Sequence, residues 1–349
     1  MSTDLKVIEG AYLRDILDQP QALENTLANL RRSKELESLA TRLGKGKFQR
    51  VVLTGMGSSF HALHPLALQL INHRYTAIMV ETSELVHHKN RLFDPRTLIV
   101  AVSQSGQSAE MVRLATVNRK RSAVIAVTNT PDSVLAKHAT AALLTQAGSE
   151  FSVSCKTYVA TLMALKWLGD ALCERDAKFT RRELTDAAPA VASYLAGWKS
   201  HLESLAAELK NIRYLFFVGR GASLAAVGTG ALIVKEADLF PAEGMSSAAF
   251  RHGPFEMLSQ EGFVAVFSGD AKTRDLNRRL FADIQEHGGR AGLVGQNGTI
   301  ECFRLPDHGE SVRTILEILP VQMVTLALAA LTGREPGKFK LATKVTATE

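Results

Sequence analysis

Residues 50–59 read RVVLTGMGSS, and the architecture follows from them. Val51, Val52, Leu53 and Thr54 make an apolar, β-rich run that ends at Gly55. Gly57-Ser58-Ser59 then opens an apolar stretch over 60–71 with helical spacing. Strand, glycine turn and helix recur downstream. A strand is predicted over 98–102, followed by the polar turn Ser103-Gln104-Ser105-Gly106-Gln107-Ser108 and a helix over 109–120. Further strands are predicted over 123–127 and 141–144, before a long helix over 152–173. Apolar strands alternating with helices predict a parallel sheet covered on both faces, the doubly wound α/β class.

The same order returns about 160 residues later, too long a period for a solenoid repeat, so a duplicated domain is expected. Here Tyr214-LFFVG-Arg220 runs into Gly221-Ala222-Ser223. Strands are predicted over 263–268, 291–294 and 301–305, with a closing helix over 312–331. The expected division is a helical arm at 1–49, a first domain at 50–175, a helical linker at 176–210, a second domain at 211–332 and a tail at 333–349. In the tail, Leu341 and Val345 are expected to be tied down, with one lysine turned inward.

The 349 residues carry 41 Lys and Arg against 35 Asp and Glu, a net +6 spread along the chain with no basic arm for a polynucleotide. Cys155, Cys173 and Cys302 have no CxxC spacing, which argues for a reducing, cytoplasmic compartment and against a zinc site. MSTDLKVIEG has no apolar signal-peptide core. The apolar stretch 315–331 is interrupted by Glu317, Pro320 and Gln322, so it reads as a buried helix and not as a membrane span. No membrane or nucleic-acid partner is expected.

Two turns carry the chemistry. Ser103, Gln104, Ser105 and Ser108 cluster hydroxyl and amide donors between a strand and a helix, where backbone N–H groups and the helix dipole favour an anion such as a phosphomonoester. Gly57, Ser58 and Ser59 offer a second donor set at the adjacent strand end. Phe60 stands where a dinucleotide fingerprint needs its third glycine, and no P-loop lysine is present. A serine at such a position is more often a plain helix cap, so the pairing of the two turns is what favours an anion site. In the second half Ser268-Gly269-Asp270 has fewer donors and a carboxylate. That half supplies instead Glu236, late in an apolar helix, and His252 in a Gly-Pro loop sixteen residues on. Burial of Glu236 would raise its pKa toward proton transfer, although a helix-end ion pair is the commoner use of such a residue. His61 and His64 read as partly buried helix residues.

GMGSS, SQSGQS, GRG, KE, HGP and the terminal LATKVTATE, in this order, resemble the SIS (sugar isomerase) domain family. Within it the pattern is most similar to the isomerase half of glucosamine-6-phosphate synthases, also called glutamine:fructose-6-phosphate aminotransferases, and to SIS-type amino-sugar phosphate deaminases. The resemblance implies two tandem SIS domains and a homodimer with shared active sites. It implies that Ser59, Ser103, Gln104, Ser105 and Ser108 hold a sugar 6-phosphate. It further implies that Glu236 moves a proton between C1 and C2, that His252 opens the ring, typically from the neighbouring subunit, that Lys344 sits near the C1 and C2 substituents, and that Glu150 falls near a family glutamate. Three departures stand out. Ile233 replaces a family lysine one turn before the carboxylate, the 150–156 segment is one residue short, and, with a start of MSTDL, no glutaminase half with its terminal cysteine is expected.

Without glutamine-derived ammonia the expected direction is breakdown of an amino-sugar 6-phosphate to ketose 6-phosphate and ammonia, with no metal or organic cofactor. Two alternatives stay open: a fructosamine-6-phosphate deglycase, and a non-catalytic sugar-phosphate regulator, for which the first fifty residues are too few and too weakly basic to add a DNA-binding domain.

Overall fold

A computed structural model describes residues 5–341, 343 and 344. The chain forms two compact units. One holds Gln21–Ser149, Lys156–Asp186, Thr343 and Lys344. The other holds the described residues up to Pro20, Glu150–Cys155 and Ala187–Leu341.

The first unit is built on five parallel strands: β1 (Arg50–Gly55), β2 (Ala77–Glu81), β3 (Thr97–Val102), β4 (Ala123–Thr128) and β5 (Ala141–Leu144), in the order β2-β1-β3-β4-β5. Every residue of β3 is buried, as a central strand covered by helices on both faces must be. Val52, Ile99, Ala101, Val124 and Ala126 pack with Met111 and Leu114 of the helix Ala109–Asn118 on one of those faces. At roughly 25 cal/mol per Å² of apolar surface removed from water, this burial is what holds the helix to the sheet.

The second unit repeats the scheme with β6 (Tyr214–Gly219), β7 (Ala242–Ser246), β8 (Gly262–Phe267) and β9 (Arg290–Val294), in the order β7-β6-β8-β9, again all parallel. Both units are therefore α/β with parallel sheets flanked by helices.

Two strands escaped the sequence pattern, and one expected strand is absent. β2 and β7 are edge strands that are only half-buried, so neither shows a continuous apolar run. β7 even contains Gly244, where a Cβ would come within 2.4 Å of the Val227 carbonyl oxygen, so glycine is what lets this strand approach its covering helix. Over 301–305 the chain makes a 3₁₀ turn, Glu301–Phe303, in place of the expected strand, touching the sheet at one Gly295–Arg304 bridge. The physical reason is local. The Tyr194 hydroxyl donates to the Cys302 carbonyl at 2.5 Å and Ser204 Oγ accepts from the Cys302 N–H at 3.2 Å, so side chains from two helices satisfy the backbone groups a sheet neighbour would have bonded.

By length and composition the apolar segment Glu310–Thr332 is long and apolar enough to cross a membrane, contrary to the sequence expectation. It is nevertheless 94% buried inside the protein, as a core helix is. The 176–210 region forms three helices, Ala177–Thr185, Ala187–Ala196 and Trp198–Ala206, and the unit boundary falls between the first two. Leu341, expected to be anchored, is fully exposed, because its flanking Lys338 and Lys340 leave too sparse an apolar pattern to bury. Val345 lies outside the described residues.

Candidate active site

In the first sheet the chain enters at β1, crosses to β2 on one side, and returns to β3 on the other. The pair β1 and β3 is therefore the topological switch point, where doubly wound sheets leave a crevice at the carboxyl ends of their strands. The two turns selected from sequence leave these two strand ends. Gly55 lies beside Val102, and a Cβ on Gly55 would meet the Val102 carbonyl oxygen at 3.1 Å and the Phe60 nitrogen at 3.0 Å, so a larger residue would have to push backbone aside. Gly57 and Gly106 sit in the left-handed region at φ +51° and +60°.

The serines are not used as ordinary caps. Met56 occupies the cap position of the short helix Gly57–His61 without a side-chain bond, and Ser108 caps Ala109–Asn118 by position only, its hydroxyl making no cap hydrogen bond. Ser103 Oγ instead accepts from the Gly106 N–H at 3.1 Å and Ser105 Oγ from the Gln107 N–H at 3.2 Å, bonds that shape the loop. The Gln104 carbonyl is fixed by the Asn129 N–H at 3.0 Å and the Thr128 hydroxyl at 3.2 Å. Ser103 is buried, while Ser58, Ser59, Gln104, Ser105 and Ser108 are half-buried along the crevice. Nearby, the His61 and His64 rings stack at 6.4 Å, and burial, with His61 adding to it, lowers His64 to a pKa of about 4, so it stays neutral.

Lys344 is half-buried and belongs to the same unit as these turns. Glu236, His252 and Glu150 belong to the other. Glu236 is half-buried in the last turn of the helix Leu224–Asp238. His252 is exposed. Its loop is held by the His252 N–H bond to the Ala249 carbonyl at 2.9 Å, by an Arg251–Asp283 ion pair, and by Gly253 at φ +134°, a conformation that calls for glycine.

Glu150 is buried. Its Oε1 accepts from the Cys155 N–H at 2.9 Å and the Cys155 thiol at 3.4 Å, while the neighbouring Phe151 N–H donates to Asp15 Oδ2 at 2.6 Å. Its carboxylate thus ties together the segment that leads into the helix Lys156–Leu172.

Four polar residues to which the sequence reading gave no role lie in or against the Glu236 helix. Asp238 is buried with neither carboxylate oxygen hydrogen-bonded, and burial lifts its pKa well above the usual range against the pull of Arg334. Burial, reinforced by Cys155, Asp238 and Glu236, also raises the Tyr12 hydroxyl, which meets Thr325 Oγ1 at 3.2 Å. At the other end of the helix, Ser223 donates to the buried Glu317. Glu317 had appeared only as an interruption of an apolar run, and a carboxylate inside such a run was the available signal. The backbone after the last helix returns to this region, with the Gly337 N–H donating to the Ala237 carbonyl at 3.1 Å. Among the described residues no group of three His, Cys, Asp or Glu side chains is placed to hold a metal.

Residues 47–169 match the SIS domain family. The chain is 28% identical over 97% of its length to the glutamine–fructose-6-phosphate aminotransferase of Pyrococcus horikoshii, covering 58% of that protein, and 27% identical over 93% of its length to that of Streptomyces coelicolor, covering 56%. It spans just over half the length of these relatives. Its fold matches the C-terminal domain of the Francisella tularensis glucosamine-fructose-6-phosphate aminotransferase with a TM-score of 0.81 at 20% identity, covering 95% of this chain and 98% of that one. It also matches a glucosamine-6-phosphate deaminase from Thermotoga maritima with a TM-score of 0.78 at 20% identity, covering 97% and 100%. Residues 47–169 thus match the SIS domain, in a chain similar over nearly its whole length to part of glutamine–fructose-6-phosphate aminotransferases.

Proposed function

We propose that the protein is a tandem-SIS deaminase/isomerase of an amino-sugar 6-phosphate, releasing ammonia and a ketose 6-phosphate. The observation that carries the reading is the placing of both serine turns on the β1/β3 switch point, with the Ser108 hydroxyl not spent on its helix. Among the similar proteins, one is named a glucosamine-6-phosphate deaminase, and the aminotransferases are named for fructose 6-phosphate, a ketose 6-phosphate.

In this reading Gly57, Ser58, Ser59, Ser103, Gln104, Ser105 and Ser108 hold the phosphate through hydroxyl, amide and backbone donors. His252 opens the pyranose by moving a proton between O5 and O1. Glu236 takes the proton from C2 and returns it to C1, which leaves a C2 imine, and water hydrolyses that imine to the ketone and ammonia. Lys344 steadies the charge that develops on the enolamine. Glu150 acts as a positioning residue through the 150–155 segment. The exposure of His252, on a loop that is nonetheless well fixed, suits a residue given to the site of a second copy, so the working unit is a homodimer. The compartment is cytoplasmic.

The test is ammonia release from glucosamine 6-phosphate by the purified protein, with fructose 6-phosphate as co-product and loss of both in Glu236→Gln. A panel of fructosamine 6-phosphates run alongside identifies a deglycase. Binding of all these compounds without turnover of any would overturn the enzymatic reading.

A further inference from the structure

The second sheet has a cleft of its own, of about 80 Å³, outside the carboxyl ends of β8 and β9. Arg274, Arg278, Arg313 and His308 line it, together with the backbone at Gly269 and Gly295. We propose that this cleft is a second anion site, built for a phosphoryl group and separate from the serine turns of the first sheet.

The charge arrangement makes the case. Arg274 and Arg278 stand one turn apart at the start of the helix Arg274–Glu286. Cations at a helix N-terminus oppose its dipole, and like charges at i and i+4 repel. Both local terms are unfavourable, and a bound anion reverses the sign of both. Compensation within the protein is slight. Arg278 has the fully solvated Asp275 at 4.0 Å, while Arg274 has no ion pair among the described residues. Arg313 is shared with Glu310 and Glu317, each at 3.6 Å, which orients its guanidinium beside the cleft. Asp307 is the one acidic residue of the lining, and it is exposed.

The carboxylate that argued against phosphate here, Asp270, is not among the residues lining the cleft. Its Oδ1 accepts from the Thr273 N–H and the Thr273 hydroxyl, each at 3.1 Å, so it caps the turn into the arginine helix. Guanidinium groups from two helices over one small cleft match the forked recognition of a phosphoryl group. The first sheet holds its anion with hydroxyls; the second offers arginines.

Isothermal titration with inorganic phosphate tests this in the full chain. The variants are Arg274→Ala/Arg278→Ala and, for the other site, Ser103→Ala/Ser108→Ala. The arginine double variant should lose a phosphate-binding event or weaken it at least tenfold, and should keep any sugar-phosphate turnover. The serine variant should retain that event. Because the substitution removes a like-charge pair, the arginine variant should also melt no lower than the unaltered protein in phosphate-free, low-salt buffer, and should lose the stabilisation that phosphate confers. Phosphate binding by the arginine variant with unchanged stoichiometry and affinity overturns the proposal. So does loss of the whole signal in the serine variant alone, which would leave the first-sheet reading standing.

Discussion

The Ser223 hydroxyl donates a 2.9 Å hydrogen bond to Glu317 Oε1, with both residues buried and Arg313 Nε 3.6 Å from the same oxygen. Ser223 closes the turn after β6 and so stands, in the second sheet, where Ser59 stands in the first. The switch point of the second sheet is thus answered by an internal carboxylate. Burial pushes Glu317 up to a pKa of about 7, against the opposing pull of Arg313 and Ser223. A carboxyl group whose folded pKa lies above its unfolded value adds stability below the unfolded pKa of 4.5, and that contribution is lost as pH rises through about 7. At 1.36 kcal/mol per unit the effect is about 3 kcal/mol. Glu317→Gln keeps an acceptor for Ser223 and removes the titration. Relative to the unaltered protein it should therefore gain about 3 kcal/mol between pH 4.5 and pH 8 in denaturant unfolding. A pH-independent difference would show that Glu317 does not titrate in this range.

Gly106 holds the serine turn at φ +60°, and a Cβ there would lie 2.3 Å from Ser133 Oγ and 2.6 Å from Ser133 Cβ. Gly106→Ala meets both the left-handed penalty and the collision, so it should cost about 1–3 kcal/mol. It should also raise the KM for a phosphorylated substrate by shifting the Ser103–Ser108 loop. Ser133→Ala in the same chain removes the clash with Oγ but leaves the backbone strain and the Cβ contact, so it should restore only part of the loss. Thermal unfolding and steady-state kinetics of the three variants measure this, and a stability unchanged in Gly106→Ala would refute it.

Asp170 has no exposed side-chain surface, and four partners surround it: Lys166 Nζ at 2.6 Å, Gln69 Nε2 at 2.7 Å, Thr180 Oγ1 at 2.8 Å and Arg175 at 3.4 Å. Burial alone pushes its carboxyl up, but the Lys166 hydrogen bond and charge, with Thr180 and Gln69, bring it below the ordinary value. A depressed carboxyl contributes stability above the unfolded pKa, and that stability is lost as pH falls through the folded one. Asp170→Asn removes the charge-assisted bond from Lys166 and leaves Glu183, 3.3 Å from Lys166 and 3.7 Å from Arg175, as the anion of the network, so it should destabilise the protein by about 1.5–3 kcal/mol at pH 7. The gap should narrow only as pH falls below the ordinary carboxylate range and through the lowered folded value, where the unaltered carboxyl takes up its proton. Denaturant curves taken from pH 7 down to about pH 2 decide it; a gap constant over the whole range would exclude the charge as the cause.

The parts of this fold legible in the sequence are those where one residue run satisfies one physical requirement. β1, β3, β4, β6 and β8 are buried on both faces and read as apolar runs. β2 and β7 have one neighbour each and half-buried surfaces, so their residues carry no such mark. The 301–305 segment shows the opposite error: its apolar residues are buried, Phe303 against Phe263 of β8, while the backbone forms a 3₁₀ turn, and periodicity does not distinguish that burial from burial in a strand. At the site, the serine turns were legible because a glycine turn between strand and helix is a local event. Asp238 and the Ser223–Glu317 pair were not, because the burial that makes them unusual comes from residues far along the chain.

Ser33 and Ser108 occupy the same formal place, the residue before a helix, and differ in one bond. Ser33 Oγ accepts from the Leu36 N–H at 3.2 Å, whereas the Ser108 hydroxyl makes no such contact. If the turn after β3 holds a phosphate, the two alanine substitutions should separate cleanly. Ser33→Ala removes a cap and should cost about 1 kcal/mol of stability with no change in KM. Ser108→Ala removes no bond made in the folded protein, so its stability should stay within about 0.5 kcal/mol of the unaltered chain. It deletes a donor to a charged phosphoryl oxygen, however, and such a bond is worth about 1.5–3 kcal/mol. The KM for a sugar 6-phosphate should therefore rise at least tenfold. A Ser108→Ala variant that loses stability and keeps its KM would assign this serine to the helix, and the phosphate would need other donors.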